Sequence, residues 1–238
     1  DYRVGFGHLA EIEDIFDYID RGLRDQVLMG KKVLITAGGT REYIDPIRFL
    51  GNPATGLLGI ELSKELWKYG AEVTLITSNV DKRVPGYIKR LNVISCREML
   101  NLVKKEIKGK DIYISTAAIS DFSPSRVYKR KIKKKDGPNM IKLTRTPDIL
   151  KEVKKIKPRK TKLVGFAAET DNLLDESRKK LHDKGLDMVI GNLVSFNRGF
   201  GESRVEGVIL TNDMVQEVST ENKICLLYTS PSPRDLST

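Results

Sequence analysis

The chain has few of the residues that build metal centres and disulfide frameworks. Its 238 residues include two cysteines, Cys96 and Cys225, and two histidines, His8 and His182. Two cysteines cannot form a disulfide framework, and no Cys-x-x-Cys pair is present. So few thiol and imidazole ligands also argue against a zinc site. This usage is typical of a cytosolic protein.

Long apolar runs are missing as well. No window approaches the ~18 uncharged apolar residues that a membrane span needs. Residues 1–3 do not begin a charged and then apolar secretory leader. Hydrophobic residues make up 39% and charged residues 31% of the chain, which is a globular composition with enough apolar residues for a core. We therefore expect a cytoplasmic protein without a membrane span, built as one large domain or as one domain with appendages.

The charge balance is strongly positive. Lysine and arginine number 42 against 32 aspartate and glutamate residues, which gives a net charge of +10 and a pI near 9.5. Such a protein attracts polyanions, which include nucleic acids, anionic membranes and phosphorylated small molecules. Composition alone leaves these three classes of partner open.

Short apolar runs alternate with amphipathic segments along the chain. Strands are predicted at 32–36, 73–77, 92–95, 111–116, 163–166 and 187–190, with a last pair near 207–210 and 214–218. Helices are predicted at 11–19, 57–69, 97–108, 147–156 and 171–184, with Pro147 in a first turn. Residues 122–146 are expected to be irregular and basic. Strands that are apolar on both faces predict an α/β, Rossmann-like, mostly parallel sheet with helices on both faces.

Ligands bind such sheets beyond the carboxyl ends of the strands, and the first candidate loop there is 37–59. Gly51 and Gly56 have the spacing of a P-loop, but Leu57 and Leu58 replace the required lysine and Ser/Thr, which excludes a Walker NTPase. The usual dinucleotide motif, GxGxxG, is also absent. The glycines could bind phosphate at a helix N-terminus or simply form a tight turn. A neighbouring arginine, Arg48, favours anion binding.

The loops 115–135 and 166–171 offer further candidates. Ala117 and Ala118 leave room for a ligand beside Asp121, and the basic run 129–135 could fold over a polyphosphate, bind nucleic acid or lie solvated. Phe166 could stack on a base. Lys180 and Lys184, not in these loops, lie four residues apart on one predicted helix face. Packing and surface roles remain open for each of these residues.

Six segments in order resemble one family. They are residues 34–49, 51–56, 117–121, 131–134, 146–149 and 164–170. They resemble phosphopantothenoylcysteine synthetases (phosphopantothenate–cysteine ligases), and most closely the synthetase half of bifunctional prokaryotic proteins of coenzyme A biosynthesis. The resemblance covers about residues 30–223. Residues 1–29 then correspond to a remnant or linker from a preceding flavin-dependent decarboxylase domain, and residues 224–238 resemble a non-native, adapter-derived tail.

The resemblance implies a two-step ligation in coenzyme A biosynthesis. The carboxylate of 4′-phosphopantothenate attacks CTP to give an acyl-cytidylate and pyrophosphate, and the amine of L-cysteine then displaces CMP. Magnesium is expected to be held mainly by the triphosphate, and FMN belongs only to the decarboxylase half. The resemblance further implies a basic flap, a small dimerisation extension, and a homodimer whose subunits share the active site. No nucleic acid or membrane partner is expected.

The resemblance also assigns roles by position. Asn52, Arg48 and Lys131 match the catalytic residues, and Arg48, Asn52 and Ala118 match substrate-binding positions. The positions that match nucleotide contacts are Gly38, Gly56, Ser115, Thr116, Ala117, Asp121, Lys131, Pro147, Asp148, Ile149, Leu150, Phe166, Lys180 and Lys184.

The chain departs from the family pattern where Leu57-Leu58 replaces lysine-methionine and where Tyr43 replaces a common proline. An ATP-using ligase of the same kind is one alternative. A Rossmann-like NAD(P) reductase is another, although no tyrosine is followed by lysine four residues later, as short-chain reductases require. A nucleic-acid-binding module that uses the basic run is the third.

Overall fold

The computed structural model describes residues 10–135, 140–194 and 205–220. The strands are β1 (Lys32–Gly38), β2 (Arg41–Tyr43), β3 (Phe49–Gly51), β4 (Glu72–Ser78), β5 (Lys89–Val93), β6 (Ile112–Ser115), β7 (Phe122–Pro124), β8 (Leu143–Arg145), β9 (Lys162–Glu169), β10 (Met188–Leu193), β11 (Val205–Leu210) and β12 (Val215–Thr220). The helices are α1 (Ile12–Leu23), α2 (Leu57–Lys68), α3 (Cys96–Glu106), α4 (Ile149–Ile156) and α5 (Leu173–Lys184).

An eight-stranded sheet organises the described part of the chain, in the order β12-β11-β10-β9-β6-β1-β4-β5. Strands β5, β4, β1, β6, β9 and β10 are parallel, whereas β11 and β12 are added antiparallel at one edge. Parallel neighbours need long crossovers, and helices α2 to α5 lie between successive strands. The predicted α/β architecture with a mostly parallel sheet is therefore confirmed.

Helices cover both faces of the sheet. On one face, Ile60, Leu66 and Trp67 of α2 pack with Val33 and Ile35 of β1. On the other face, the apolar sides of α3, α4 and α5 pack against alternate residues of β1, β4, β6 and β9, including Leu34, Ile76, Tyr113 and Leu163. Both faces of the central strands are thus buried, which explains why these strands read as continuous apolar runs.

Two small hairpins follow the carboxyl ends of the central strands. β2 pairs with β3, and β7 pairs with β8, both antiparallel. The second hairpin lies inside the segment 122–146, which was expected to be irregular, so this expectation is wrong for residues 122–124 and 143–145. Its strands are short and largely exposed, so they lack the apolar alternation that would identify them in the sequence.

Two predicted boundaries also require correction. The strand expected at 92–95 lies at Lys89–Val93, because an edge strand tolerates the exposed Lys89 and Arg90. The helix expected at 147–156 begins at Ile149. Its N-cap is Asp148, whose side chain accepts a hydrogen bond from the Lys151 backbone N–H at 3.1 Å, so Pro147 lies outside the helix.

Helix α1 packs closely on α2. Lys68 Nζ lies 2.9 Å from Asp17 Oδ1, and Arg24 bridges Asp20 at 2.7 Å and Glu65 at 2.8 Å. The segment expected to be an appendage thus contacts the sheet-covering helix through ion pairs. Residues 1–9, with His8, and the tail 224–238, with Cys225, lie outside the described residues. None of the described helices is long and apolar enough to cross a membrane.

Candidate functional site

The candidate site lies where the parallel strands β1, β6 and β9 end. The last residues of β1 and β6 are Gly38 and Ser115, and β9 ends at Glu169. The loops after β1 and β6 are tied together, because Ala118 N–H donates to Gly38 O at 2.8 Å and Thr40 N–H donates to Ala118 O at 3.2 Å. The sequence-predicted loops therefore meet at one edge of the sheet, as the parallel topology requires.

Gly38 and Gly56 allow the loop to pack closely on the sheet. Gly38 has φ +83°, and a Cβ there would lie 1.9 Å from Ser78 O. Gly56 has φ +77° as the N-cap of α2, and its Cβ would lie 2.4 Å from Val80 Cγ2 and 3.2 Å from Gly38 N. Only glycine fits these two positions. Their nucleotide role remains a prediction, but the close approach they permit brings the N-terminus of α2 next to the end of β1.

Asn52 lies beside the loop that follows β6 and contains Ala117 and Ala118. Its side chain is exposed, and its Nδ2 donates to Ile119 O at 3.2 Å. A Cβ at Gly39 would lie 2.5 Å from Asn52 O, so the start of the loop 37–59 packs against its own later backbone at Asn52. Asn52 therefore borders the segment that contains Ala118 and Asp121, with its amide in reach of solvent.

The end of β6 supplies a hydroxyl and small side chains. Thr116 Oγ1 donates to Thr36 O at 2.7 Å, so it anchors the strand end. Ser115, Ala117 and Ala118 are half-buried, and Asp121 is exposed. The backbone at Asp121 is fixed, because its carbonyl accepts from Thr146 N–H at 3.0 Å. These contacts fix the Asp121 backbone next to the end of β6 and leave its side chain exposed at the rim of the site.

Two lysines of α5, Lys180 and Lys184, contact residues next to this rim. Lys180 Nζ donates to Phe166 O at 2.5 Å, and Lys184 Nζ binds the Asp148 carboxylate. Burial lowers the pKa of Lys180, while Glu169, Asp148 and Asp121 act on it in the opposite direction. Burial would raise the pKa of the Asp148 carboxyl, but the hydrogen bond from Lys184, together with weaker interactions, outweighs it, and the pKa lies below its ordinary value.

The two lysines therefore form one polar cluster with Asp121, Asp148 and the backbone carbonyl of Phe166. The Phe166 side chain packs partly against the core. The lysines are not simple surface residues. Each one is half-buried and has an oxygen partner that a ligand could replace.

The neighbouring Ile149 and Leu150 are core residues. Their side chains are 5% and 8% exposed and pack in the second core cluster. Any nucleotide contact at these positions must use backbone groups at the start of α4. Cys96 lies in the same cluster, and burial raises the pKa of its thiol to about 11, which disfavours the nucleophilic thiolate.

Arg48 contacts the residue that follows Lys131, outside the main sheet. Arg48 is exposed in the turn between β2 and β3, and its Nη2 donates to Ile132 O at 3.1 Å. Lys131 is exposed and adjoins Ile132 in the chain. The basic run 129–135 is thus attached to the loop that contains Arg48, and the predicted substrate and flap residues lie on one side of the molecule.

Two carboxylates of this region were missed in the sequence. Asp45 is fully buried and binds the turn that precedes Arg48. Glu42 accepts from Cys96 N–H at 2.7 Å and so ties β2 to the start of α3. The dipeptide Asp45-Pro46 was a usable signal for a side-chain-stabilised turn. Glu42 gave no local signal, because its partner is distant in the sequence.

Within the described residues, no group of three or more His, Cys, Asp or Glu side chains could hold a metal ion. The cations at the site are instead lysine and arginine side chains. Such a donor set suits an anionic ligand, and it suits a metal ion only when the ligand itself supplies the oxygens.

Comparison with known proteins identifies the family. Residues 28–226 match the model of the DNA/pantothenate metabolism flavoprotein C-terminal domain. The chain is 42% identical over 203 residues to the coenzyme A biosynthesis bifunctional protein CoaBC of Bacillus subtilis, which covers 83% of this chain and 50% of that protein. The corresponding protein of Haemophilus influenzae is 39% identical over 198 residues, with 83% and 50% covered. The chain thus spans about half the length of these relatives.

Solved structures agree with this assignment. The C-terminal domain of a CoaBC protein superposes with a TM-score of 0.72 at 32% identity, over 86% of this chain and 94% of that one. A DNA/pantothenate metabolism flavoprotein from Streptococcus pneumoniae superposes with a TM-score of 0.70 at 26% identity, over 84% and 97%. From the matched model, the identities and the shared fold, we conclude that the chain belongs to the family of the DNA/pantothenate metabolism flavoprotein C-terminal domain.

Proposed function

We propose that this chain is a phosphopantothenate–cysteine ligase that uses CTP. The observation that carries the proposal is the convergence of Asn52, Asp121, Phe166 and the Lys180–Lys184 pair on one sheet edge, with the Arg48–Ile132 contact beside it. The relatives named as coenzyme A biosynthesis proteins support the same reaction class. We also propose that the protein is cytoplasmic and acts as a homodimer whose two subunits share each active site.

The first step joins the acid to the nucleotide. A carboxylate oxygen of 4′-phosphopantothenate attacks the α-phosphorus of CTP, the bond to the β-phosphate oxygen breaks, and pyrophosphate leaves. Negative charge builds up on the phosphorus oxygens, and cations stabilise it. Lys131 and Lys180 are the candidates for the triphosphate, and Arg48 for the phosphopantothenate. The magnesium ion would be held mainly by the triphosphate oxygens.

The second step forms the amide. The neutral amine of L-cysteine attacks the acyl carbon, the bond to the bridging oxygen breaks, and CMP leaves while the amine loses a proton. Asn52 is suited to hold the acyl-cytidylate, because a neutral amide donates a hydrogen bond to a developing oxyanion without repelling the other anionic groups. Its exposed Nδ2 already donates to a carbonyl oxygen, which a ligand oxygen could replace.

Mass spectrometry of the reaction tests the proposal. The chain is incubated with phosphopantothenate, L-cysteine and magnesium, with CTP in one reaction and ATP in the other. We expect phosphopantothenoylcysteine and CMP in the CTP reaction, and little product with ATP. Product with ATP alone would retain the ligase and overturn the choice of base, whereas no product with either nucleotide would overturn the proposal.

A further inference from the structure

Among the described residues, Asp45 is the most deeply buried carboxylate near the site. It lies in the turn between β2 and β3, with a relative exposure of 0%. Its Oδ1 accepts from the backbone N–H groups of Ile47 at 2.8 Å and Arg48 at 2.9 Å. Four lone-pair sites are available on an ionised carboxylate, and two of them are thus used to shape the turn that presents Arg48.

The second oxygen of Asp45 binds the basic flap. Asp45 Oδ2 accepts from Ile132 N–H at 3.2 Å and lies 3.3 Å from Arg48 Nη1. Arg48 Nη2 in turn donates to Ile132 O at 3.1 Å. Both backbone groups of Ile132 are therefore held, one by the carboxylate and the other by the guanidinium that this carboxylate binds.

A second anchor lies just before the basic run 129–135, where Tyr128 N–H donates to Ile44 O at 2.8 Å. The chain from Tyr128 to Ile132 is thus fixed at both ends to residues 44–48. Lys131 directly precedes the Ile132 anchor, and its exposed side chain projects from a backbone that this anchor holds.

Asp45 is suited to this role as an anion. Burial alone would raise the pKa of its carboxyl, but the three backbone donors and the Arg48 charge lower it below the ordinary value. A neutral asparagine could not accept all of these bonds, because its NH2 group donates. The fully buried position leaves no water to replace a lost acceptor.

We propose that Asp45 is a positioning residue that holds Arg48 and Lys131 in one fixed arrangement, so that the phosphopantothenate and the triphosphate are bound in register. This inference rests on the proposed function for the identity of the two ligands. The connection through Ile132 itself rests on the contacts alone. The two parts can therefore be tested separately.

The connection is tested on the free protein with Asp45→Asn. Trypsin cleaves after lysine and arginine, so the run 129–135 reports on the anchoring of the flap when cleavage sites are identified by mass spectrometry. We expect cleavage within this run to accelerate about tenfold or more, as loss of a charge-assisted bond implies. The matched control is Asp81→Asn, which removes an exposed carboxylate and should leave cleavage unchanged. Equal cleavage in the two variants would overturn the proposal.

The positioning role is tested by steady-state kinetics of the same variants. We expect Asp45→Asn to raise KM for phosphopantothenate and for CTP together, about tenfold each. A merely structural role would lower kcat per mole of protein at constant KM values, and this outcome would overturn the proposal. An active wild type whose Asp45→Asn variant is unchanged in KM and cleavage refutes the connection and leaves the ligase assignment intact.

Amide hydrogen exchange of the wild type covers the case in which Asp45→Asn does not fold. The Ile132 N–H should be protected well above that of Lys133, because it donates to a buried carboxylate. Exchange of Ile132 at the rate of an unprotected peptide would contradict the proposal without any variant.

Discussion

The role proposed for Asn52 uses one side chain in both the free and the ligand-bound protein. Its amide donates to Ile119 O across the gap between two loops, so the loops are aligned before a ligand arrives. The bond is exposed and between neutral groups, so exchanging it for a bond to a ligand costs little. In the proposed mechanism, a charged residue here would repel one of the substrates or bind one too tightly.

Replacing Asn52 by alanine should abolish ligation and leave the fold intact. The side chain is exposed, so we expect the free energy of unfolding to change by less than about 1 kcal/mol. Product formation and urea unfolding are measured on the same preparation. A variant with near-normal turnover would remove Asn52 from the mechanism.

Lys131 should contribute to nucleotide binding. We expect Lys131→Ala to weaken CTP binding about tenfold or more, because one charge-assisted contact to a phosphate is lost. Lys160→Ala is a matched control, since Lys160 is equally exposed but precedes β9, at the opposite edge of the sheet. Titration calorimetry measures both variants. The same affinity in both would contradict the flap role.

At the scale of elements, the glycines of the first loop decide how closely α2 approaches β1. The strand end and the helix start meet because Gly38 and Gly56 have positive φ values and no side chains. The N–H groups at the start of α2 are thereby directed to the sheet edge, where an anion can bind them. The loop glycines are thus needed for the fold whether or not they touch the ligand.

Replacing Gly38 by alanine should therefore destabilise the protein by about 2 kcal/mol or more, because both the φ value and the contact with Ser78 O are unfavourable. Gly22→Ala serves as the control. Gly22 lies exposed in α1 with nothing within 4 Å of an added Cβ, and alanine should stabilise that helix by about 0.5–1 kcal/mol. Urea unfolding measures both. A stable Gly38→Ala variant would contradict the packing account.

The contact between α1 and α2 should depend on pH. The Arg24 hydrogen bond, followed by Lys68, lowers the pKa of Asp20 from 3.8. A carboxyl whose folded pKa is depressed stabilises the protein above its unfolded pKa, and this stabilisation is lost as the pH falls through the folded pKa. The difference in unfolding free energy between wild type and Asp20→Asn should thus be constant at neutral pH and disappear in acid below pH 3.8. A difference independent of pH would contradict the ion pair.

Elements that bury apolar residues on both faces could be predicted from the sequence, and those that do not were missed or misplaced. β1 and β4 are buried along nearly their whole length and were located to within two residues. β5 is an edge strand and begins with the exposed Lys89 and Arg90. Because these charged residues break the apolar pattern, the start of β5 was missed. The short strands β7 and β8 depend on pairing with each other, which no local pattern records.

At the scale of the whole molecule, the parallel topology makes a site out of distant residues. The loops after β1 and β6 and the end of β9 reach one edge because the strands run in one direction. This could be predicted from the alternation of strands and helices, and the order of the family motifs then assigned residues to the edge. The attachment of the basic run 129–135 could not be predicted, because Asp45 and Ile132 are 87 residues apart and neither belongs to a periodic element.

The central claim is that the acid is activated by forming a bond to the α-phosphorus of a nucleotide, and isotope transfer tests it most directly. The substrate is phosphopantothenate in which both carboxylate oxygens are 18O. It is incubated with the protein, cysteine, magnesium and CTP, and the masses of the products are measured by mass spectrometry. The account predicts that one labelled oxygen remains in the amide product and one appears in CMP, because the bridging oxygen leaves with the nucleotide. Product accompanied by unlabelled CMP, or by CDP and labelled inorganic phosphate, would contradict it.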